Sequence, residues 1–403
     1  MASAKQNQRR SGLNLKMDER LYLEDSFQKE VISPVIEKIR ENGCFLVRFR
    51  ETVFYPGGGG QPPDQGKVDE QEVLGLIEKN GFIYHLLAAD PGKGPCRLTI
   101  DFERRFSFMQ QHTAQHLLSQ VLLEKHRSAT LSFSLTEEHA SVETDSRFFS
   151  DSEIIALENE CGRIVFSNLK VRIHRISDPG RLPLRKPPKV SGPIRVIEID
   201  SFDYSACGGT HLRSTGQIGL IKIRGCDRVR GHSRLYFLAG ERALRDYQRQ
   251  SMLAKELQHV LTVPPEDFGP AARKLKEERD KLQRENRELK STALNQEVTA
   301  ARLAGSCFFS RELPGLEAAE IKQLAVKALP LGIGLCLFTL APKPFLVVAD
   351  GCGGHDLKAI AKDLFSLLGG RGGGQSQLIE GSISQPQRLP KALDLLQDIF
   401  RNK

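Results

Sequence analysis

Two short stretches, QHTAQH at residues 111–116 and CGGTH at residues 207–211, decide how this chain folds and what it holds. His112 and His116 in the first stretch are four residues apart. They lie in a segment, Phe108 to Leu123, that contains good helix formers and neither Pro nor Gly. In a helix this spacing places both imidazoles on one face, about 5–6 Å apart, close enough to share one ion.

The second stretch follows an alternating apolar segment, Ile194 to Ile199, which predicts a strand. Two glycines separate Cys207 from the histidine at 211, and their backbone freedom allows a turn that points both side chains the same way. Three imidazoles and one thiolate suit zinc in number and softness. Either pair alone is more often a pair of surface or core side chains than a metal site. Together the two pairs predict one zinc ion per chain, bound by His112, His116, Cys207 and His211.

Composition and charge narrow the class of protein. The 403 residues are enough for two to four domains, and 39% hydrophobic with 27% charged residues is typical of a soluble globular chain. The net charge of +8 favours an anionic partner. Eight scattered cysteines without framework spacing indicate reduced thiols in a cytoplasmic protein, and the absence of a long apolar run or signal peptide predicts no membrane association.

Changes in pattern along the chain predict five segments. Residues 1–16 are polar and basic and are expected to be a disordered tail, with Met17 as an alternative start. Residues 17–100 form a β-rich domain with strands near 31–39, 44–50 and 73–77. Residues 101–240 carry both ligand pairs, residues 241–303 are helical, and residues 304–403 alternate strand-like and helical runs.

A glycine-rich run, FYPGGGGQPPDQG at residues 54–66, separates two of the predicted strands. No Gly-Lys-Ser/Thr follows it, and it lacks the strand–GxGxxG–helix setting, so it is neither a Walker loop nor a dinucleotide motif. Four glycines would let the backbone approach a ligand or an RNA backbone closely. A flexible hairpin loop is the alternative interpretation.

Basic residues cluster near the ligand motifs and in a later glycine-rich run. After the second motif they alternate with apolar residues, which predicts strands with one cationic face. Such a face suits phosphates, and solvated surface is the alternative. The residues concerned are Arg104, Arg105, Lys222, Arg224, Arg228 and Arg230, together with Arg371 in the run GGRGGG at 369–374.

The helical segment and the C-terminal segment raise two further points. Leu275, Leu282 and Leu289 recur every seven residues beside a polar companion seam, which predicts a short coiled-coil-like arm that pairs within the chain or between chains. Cys352 and His355 resemble a second ligand pair, but no further ligands accompany them, so no second metal is predicted.

Taken in order, FYPGGGGQPxDxG, HTAQH and CGGTH closely resemble the motifs of the alanyl-tRNA editing family, or AlaX, the free-standing relatives of the editing domain of alanyl-tRNA synthetase. The motifs cover Phe54 to His211. Beyond them the chain resembles, more loosely, the DHHA1-type domain of longer members, which is associated with tRNA contact and self-association. The implied fold is α+β and multidomain: a small β-barrel-like N-terminal domain, an α/β-sandwich zinc editing domain, a helical arm and a C-terminal α/β domain.

The resemblance also implies an activity and residue roles. The activity is hydrolysis of mischarged alanine tRNA, with serine the chief target and glycine a second. The family's ligands fall on the same four residues. Its glycine-rich motif, which lies beside the editing pocket, falls on Gly57 to Gln61 with Asp64, so that Gly58, Gly59 and Gly60 are expected to approach the tRNA end while Gln61 and Asp64 serve catalysis. Thr130, with Ser132 as competitor, is expected to recognise the serine hydroxyl.

Two alternatives stay open at this stage. A deacylase for serine-charged threonine tRNA would share the ligand pairs, although the glycine-rich run favours the alanine family. A non-catalytic, zinc-stabilised tRNA-binding protein would use the metal for structure alone, since four protein ligands fill a tetrahedral shell. Whether zinc acts on water or only positions the tRNA end, and whether the helical arm or the C-terminal domain forms a homodimer, also stay open.

Overall fold

The computed structural model describes residues 18–146, 148–187 and 192–401. The chain divides into two compact units, Met1–Lys255 and Glu256–Lys403. Both units combine helices and sheets, so the predicted mixture of α and β structure over more than one domain is confirmed. The predicted disordered tail lies outside the described residues.

Nine strands form the first part of the first unit: β1 (Glu19–Arg20), β2 (Glu30–Glu41), β3 (Cys44–Phe49), β4 (Glu51–Thr52), β5 (Gly66–Val68), β6 (Gln71–Glu72), β7 (Gly75–Lys79), β8 (Phe82–Leu87) and β9 (Pro95–Ile100). Seven of them make an antiparallel sheet in the order β6-β5-β9-β2-β3-β8-β7, while β1 and β4 pair in parallel. The strands predicted near 31–39 and 44–50 are β2 and β3. Of the segment predicted near 73–77, residues 73 and 74 lie between β6 and β7, and residues 75–77 form the start of β7.

The sheet curls because strand β2 pairs with strands in both halves of the sheet. Residues 30–34 pair with β9, residues 35–41 pair with β3, and a register shift separates Val35 from Glu37. Two hairpins of the sheet close through Asn-Gly turns at 42–43 and 80–81, where all four residues have positive φ. The curled sheet encloses a core that includes Val47, Phe54 and Leu98.

The second part of this unit is built around one central helix, α1 (Phe102–His126). It begins after Asp101, whose side chain accepts a hydrogen bond from the Arg104 N–H, and it extends the predicted helix at both ends. Every residue from 108 to 119 is buried. A helix that is covered on all sides lies inside the fold, so polar side chains on α1 need partners from other elements.

Two sheets and a second helix surround α1. The elements are β10 (Thr130–Leu135), β11 (Ala140–Thr144), α2 (Asp151–Phe166), β12 (Val171–Ile176), β13 (Ile194–Ile199), β14 (Asp203–Ala206), β15 (Ile221–Val229) and β16 (His232–Ala239). The sheet orders are β10-β11-β16-β15 and β12-β13-β14. The strand predicted at Ile194 to Ile199 is confirmed as β13, which leads through β14 to Cys207.

The helical segment contains α3 (Glu241–Leu261) and α4 (Phe268–Leu303). Leu275, Leu282 and Leu289 of α4 are 55%, 63% and 71% exposed. The heptad leucines therefore form an uncovered apolar seam within the described chain. Further along α4, Leu294 and Val298 are buried in a core with α5 (Ala318–Ala328).

The C-terminal part of the second unit is a five-stranded sheet with helices. Its elements are β17 (Phe308–Glu312), β18 (Gly334–Thr339), β19 (Phe345–Asp350), α6 (Leu357–Leu367), β20 (Gly372–Gln375), β21 (Leu378–Ser382) and α7 (Leu389–Arg401), with strand order β17-β18-β19-β21-β20. The glycine-rich run at 369–374 leads into edge strand β20. A Cβ atom at Gly370 would lie 1.8 Å from the Ser382 carbonyl oxygen, so close packing explains that glycine without a ligand.

Candidate metal centre and cleft

The four predicted ligand residues lie together in the first unit. His112 and His116 are one turn apart on α1, with ring centroids 5.3 Å apart. Cys207 follows β14, and its Sγ is 3.4 Å from His112 Nε2 and 3.3 Å from His211 Nε2. One donor atom from each of the four residues lies within 4.8 Å of the others. Within the described ranges, this is the one group of His, Cys, Asp and Glu side chains so arranged.

The local sequence explains the convergence. Gly209 lies against His112: a Cβ at this position would be 2.3 Å from His112 Cε1 and 3.0 Å from Gln61 Oε1. Only a residue without a side chain allows the turn to approach α1 this closely. Gly208 has open space around it. The second glycine of CGGTH is therefore the one that the metal centre requires.

Each imidazole is oriented through its Nδ1 atom. His112 Nδ1 is 2.8 Å from Gln61 Oε1, His116 Nδ1 is 3.2 Å from Asp203 Oδ2, and His211 Nδ1 is 3.4 Å from the Thr113 hydroxyl. An acceptor at Nδ1 leaves Nε2 as the ligand atom and makes it a better donor to a metal. With the proton held at Nδ1 in this way, the Nε2 lone pair of each imidazole would be free to bind a zinc ion.

The pKa shifts of Cys207 and His211 favour the forms that bind a metal, whereas the shift of His116 does not. Burial favours the neutral thiol of Cys207, but nearby His112 and His211 outweigh it and hold the thiol pKa well below its ordinary value. Burial, with repulsion from His112, lowers the pKa of His211. For His116 burial acts in the same direction, but hydrogen bonds with Asp203 and Cys207 raise its pKa overall. A thiolate with buried imidazoles is the donor set that suits zinc.

The glycine-rich run is held against this centre by Gln61. Its side chain is 2% exposed, and its Nε2 donates to the Thr210 hydroxyl at 2.7 Å while its Oε1 contacts His112. Gln61 therefore orients a ligand and lies behind the cleft. The catalytic role predicted for Gln61 stays a prediction, and from this position it would act through His112.

Asp64 and Arg105 form a buried ion pair beneath the same run. Arg105 is completely buried, and its guanidinium donates to both carboxylate oxygens of Asp64 and to the backbone carbonyls of Ser26 and Val53. Asp64 also accepts from the Tyr55 N–H. Both groups are covered and fully engaged in fixing the run on α1, so neither reaches the cleft surface. The tRNA contact predicted for Arg105 and the catalytic role predicted for Asp64 therefore stay predictions without support from this placement.

An open cleft of about 720 Å³ lies over the ligand residues. Its walls include Gly57, Gly58 and Gly59 on one side and Thr130 to Phe133 of β10 on the other. Gly60 lies behind them: a Cβ there would be 2.5 Å from the Phe133 carbonyl oxygen. The run and β10 thus pack tightly at Gly60 and separate at Gly58 and Gly59.

Thr130 and Ser132 both line this cleft, as expected for candidates that recognise an acyl group. Thr130 is 8% exposed, and its Oγ1 donates to Ser119 Oγ at 2.7 Å. Ser132 is more exposed and donates to Glu143 Oε2 at 2.7 Å. Because the carboxylate of Glu143 already holds its hydroxyl, Ser132 is the weaker candidate.

The sequence patterns did not predict the cationic residues of the cleft. Arg185 donates to the His116 carbonyl oxygen at 2.8 Å, and Arg195 donates to the carbonyl oxygens of Cys207 and Gly209. The second terminal nitrogen of Arg195, Nη2, is buried with no partner among the described residues. Two further cations also line the cleft, Arg20 and Lys186. No motif or spacing marked these residues, since loops and strands far apart in sequence bring them together.

The predicted basic residues divide by their partners. Arg104 pairs with Glu137, Lys222 with Glu158 at 2.8 Å, and Arg224 with Asp246 at 2.6 Å. These ion pairs reduce the charge available to a phosphate. Three residues are exposed and make no ion pair with a described side chain: Arg228, which lies over the Phe148 ring, Arg230 and Arg371.

Comparison with known proteins gives consistent relatives. Residues 194–236 match the family described as "Threonyl and Alanyl tRNA synthetase second additional domain". Over 395 residues the chain is 29% identical to the alanyl-tRNA editing protein AlaX-L of Pyrococcus horikoshii, covering 93% of this chain and 96% of that protein. It is 32% identical over 250 residues to the alanyl-tRNA editing protein Aarsd1-B of Xenopus laevis, covering 60% of each.

Two further matches differ in extent. The chain is 30% identical to the alanine–tRNA ligase of Pyrococcus abyssi, but that match covers 93% of this chain and 43% of the ligase, so the chain spans less than half of that protein's length. A solved structure, the C-Ala domain from Aquifex aeolicus alanyl-tRNA synthetase, aligns with a TM-score of 0.22 at 20% identity, covering 23% of this chain and 89% of that one. Among the described helices, none combines the length and apolar character needed to cross a membrane.

Proposed function

This chain belongs to the alanyl-tRNA editing protein family, and from that premise we propose that it is a trans-acting deacylase that hydrolyses the ester of mischarged alanine tRNA. The observation that carries the proposal is the convergence of His112, His116, Cys207 and His211, the first three of which line a cleft that also contains arginine side chains. The AlaX-L relative, which matches nearly the whole of both chains, supports it.

Hydrolysis of this ester requires few catalytic groups from the protein. An aminoacyl ester is already activated, so a positioned water molecule and electrostatic stabilisation suffice without a covalent nucleophile. The four ligand residues would hold zinc, which when bound supplies a Lewis-acidic positive charge beside the ester. Gln61, Thr113 and Asp203 keep the three imidazoles oriented.

The remaining cleft residues bind and orient the substrate. Arg195 and Lys186 give the cleft positive charge that matches the terminal phosphates of a tRNA, while Arg20 pairs with Glu78 and Arg185 with Asp203. The backbone of Gly58 and Gly59 offers a surface with no side chains against which the 3′ end can lie. Outside the cleft, Arg228 and Arg230 are the best-placed cations of the predicted basic face, and Arg371 is a third, separate candidate.

The preferred substrate is serine-charged alanine tRNA, with glycine-charged alanine tRNA as a second. Thr130 supports serine, since a hydroxyl in the cleft can bond the one group that distinguishes serine from alanine. Serine-charged threonine tRNA is the second candidate, because the matched domain family is named for both synthetases. A non-catalytic tRNA-binding role is the third, because four protein ligands would fill a tetrahedral zinc shell.

The test is deacylation by purified, zinc-loaded protein. Alanine tRNA charged with serine, glycine or alanine is compared with serine-charged threonine tRNA. Hydrolysis of the serine ester of alanine tRNA, with the alanine ester spared, is the expected result. Tight tRNA binding without hydrolysis would establish the non-catalytic role instead, and hydrolysis of only the threonine tRNA ester would identify the other editing activity.

Self-association through α4 is part of the proposal. The exposed seam of Leu275, Leu282 and Leu289 suits a second copy of the same helix. Sedimentation of the wild type and of Leu282→Lys tests this: the substitution should shift the protein to a single chain. A wild type that sediments as a monomer at all concentrations would contradict it.

A further inference from the structure

The turn that carries Cys207 is held from outside by one guanidinium group. Arg195 lies on β13, and its Nε donates to the Leu23 carbonyl oxygen at 2.9 Å. Its Nη1 donates to two further carbonyl oxygens, that of Cys207 at 2.8 Å and that of Gly209 at 2.9 Å. No backbone N–H of the described residues bonds any of these three carbonyls. The side chain of Arg195 therefore supplies hydrogen bonds that the backbone does not.

The N–H groups of the same turn point the other way. The Gly209 N–H donates to Cys207 Sγ at 3.4 Å, and the Thr210 N–H donates to Gln61 Oε1 at 3.2 Å. A trans peptide is planar, so its C=O and N–H point in opposite directions. Because Arg195 holds the carbonyls of residues 207 and 209, it fixes the peptides on both sides of the 208–209 peptide. The N–H of that middle peptide is then left facing the sulfur.

This N–H bears on the metal because Cys207 provides the one sulfur among the four ligand residues. Hydrogen bonds to a ligating atom tune the metal, and those to a ligating sulfur alter its electronic properties. The N–H draws electron density away from the thiolate, so the sulfur donates less charge to a bound metal. The N–H groups on Nε and Nη1 of Arg195 are spent on carbonyls of the protein, which favours a positioning role for this side chain.

We propose that Arg195 is a positioning residue of the metal centre, which keeps the Gly209 N–H on the Cys207 sulfur by holding the two carbonyls of the turn. The catalytic consequence rests on the proposed function: a thiolate that donates less charge leaves zinc a stronger Lewis acid beside the ester. Loss of Arg195 therefore changes the metal–sulfur bond itself, as well as the charge of the cleft.

Substitution of cobalt(II) for zinc makes the metal–sulfur bond visible. The thiolate-to-cobalt charge-transfer band moves to longer wavelength when the sulfur gains electron density. Arg195→Met removes the guanidinium and keeps an unbranched stem, so the band of the cobalt-loaded variant should lie at longer wavelength than that of the wild type. Zinc affinity, measured by chelator competition, should fall about tenfold. With saturating serine-charged alanine tRNA, kcat of the zinc-loaded variant should also fall.

A conservative variant and a matched control sharpen the result. Arg195→Lys keeps the charge but lacks the planar fork, so it should show the same band shift in smaller size. Arg175 is the cross-strand neighbour of Arg195 in the pair of β12 and β13, and it pairs with Glu24 at the surface. Arg175→Met should keep the wild-type band and zinc affinity. If Arg195→Met does not fold, Arg195→Lys is compared with the control instead.

The failures of the two proposals are distinguishable. A wild type that binds metal but hydrolyses no ester overturns the proposed function, while a shifted cobalt band in Arg195→Met still supports the positioning role. A folded Arg195→Met with the wild-type band and zinc affinity overturns that role. The same holds if this variant only binds tRNA more weakly, because Arg195 would then serve the phosphates alone.

Discussion

Two segments of this chain have nearly the same composition and opposite structural roles. CGGTH at residues 207–211 and CGGH at residues 352–355 both place a Cys and a His around a Gly-Gly pair. In the first segment the side chains converge with two histidines of α1. In the second, it is the backbone that converges: the N–H groups of residues 352–355 all donate to the Asp350 carboxylate, at 2.8–3.1 Å.

The difference lies in what each turn packs against. The first turn lies on a buried helix that presents two imidazoles one turn apart, with acceptors behind them. The second turn already contains its anion, since Asp350 occupies the position that a bound anion would take. His355 packs edge-to-face on Phe400, with its Nδ1 3.4 Å from Asp350. A Cys and a His on either side of a Gly-Gly pair can therefore form a metal site only when distant residues supply the other ligands.

Removal of each cysteine gives the largest expected contrast. Cys207→Ala deletes a ligand from a buried set and should reduce bound zinc to background, with loss of deacylation. Cys352→Ala should retain the wild-type zinc content and activity. Elemental analysis of both purified variants measures this. Full zinc in the Cys207 variant would refute the ligand assignment, and zinc loss in the Cys352 variant would mean that the two segments are not distinct.

Alanine substitutions at glycines of the two segments test the comparison between them one position at a time. Gly209→Ala would drive a Cβ into His112, so zinc affinity should fall by at least about tenfold, an effect comparable to the loss of an orienting partner. Gly208→Ala meets open space and should keep its zinc. Gly353→Ala also meets open space, but its φ of +72° should cost about 1 kcal/mol of stability with no change in zinc. Chelator competition and urea unfolding give the two quantities, and equal zinc affinity of the first two variants would contradict the packing argument.

The orienting carboxylate should matter less than a ligand. Asp203→Asn leaves His116 in place but weakens the acceptor at its Nδ1, so zinc affinity should fall about 10- to 100-fold. Asp200→Asn is the matched control, because Asp200 pairs with Arg172 on the surface. A chelator titration that finds the same affinity for both variants would show that Asp203 has no part in the centre.

The smallest expected effect on zinc, none at all, belongs to the second segment, where a substitution should change stability alone. Burial favours protonated Asp350, but the four N–H donors outweigh it and lower its pKa. Because the folded pKa lies below the unfolded one, the carboxylate stabilises the fold above the ordinary carboxyl range, and this contribution is lost as pH falls through the lowered folded pKa. Asp350→Asn should cost about 2–3 kcal/mol at pH 7, and less in acid. Hydrogen exchange of residues 351–355 at both pH values tests it, and a pH-independent cost would contradict the charge argument.

Prediction from the sequence succeeded where the relevant interactions are local. A four-residue helical spacing and a Gly-Gly turn indicated all four ligand residues, and their convergence is observed. Thr130, which the resemblance to the editing family indicated, lines the cleft, and its role stays a prediction. Gln61, Asp64 and Arg105 lie behind or beneath the cleft, which residue type and proximity in sequence could not show, and their predicted roles stay predictions.

Local sequence patterns were enough to indicate the four donor residues, the helix that carries His112 and His116, and a turn made by two glycines, because periodicity and backbone freedom act over a few residues. The folded structure was needed to find which glycine the turn requires, which groups orient the imidazoles, which arginines line the cleft, and that Ser119 joins Gln115 to Thr130. Those contacts join segments far apart in the chain, as with Gln61 and Thr210, which are 149 residues apart. Burial then decides whether a polar residue meets a partner or a substrate.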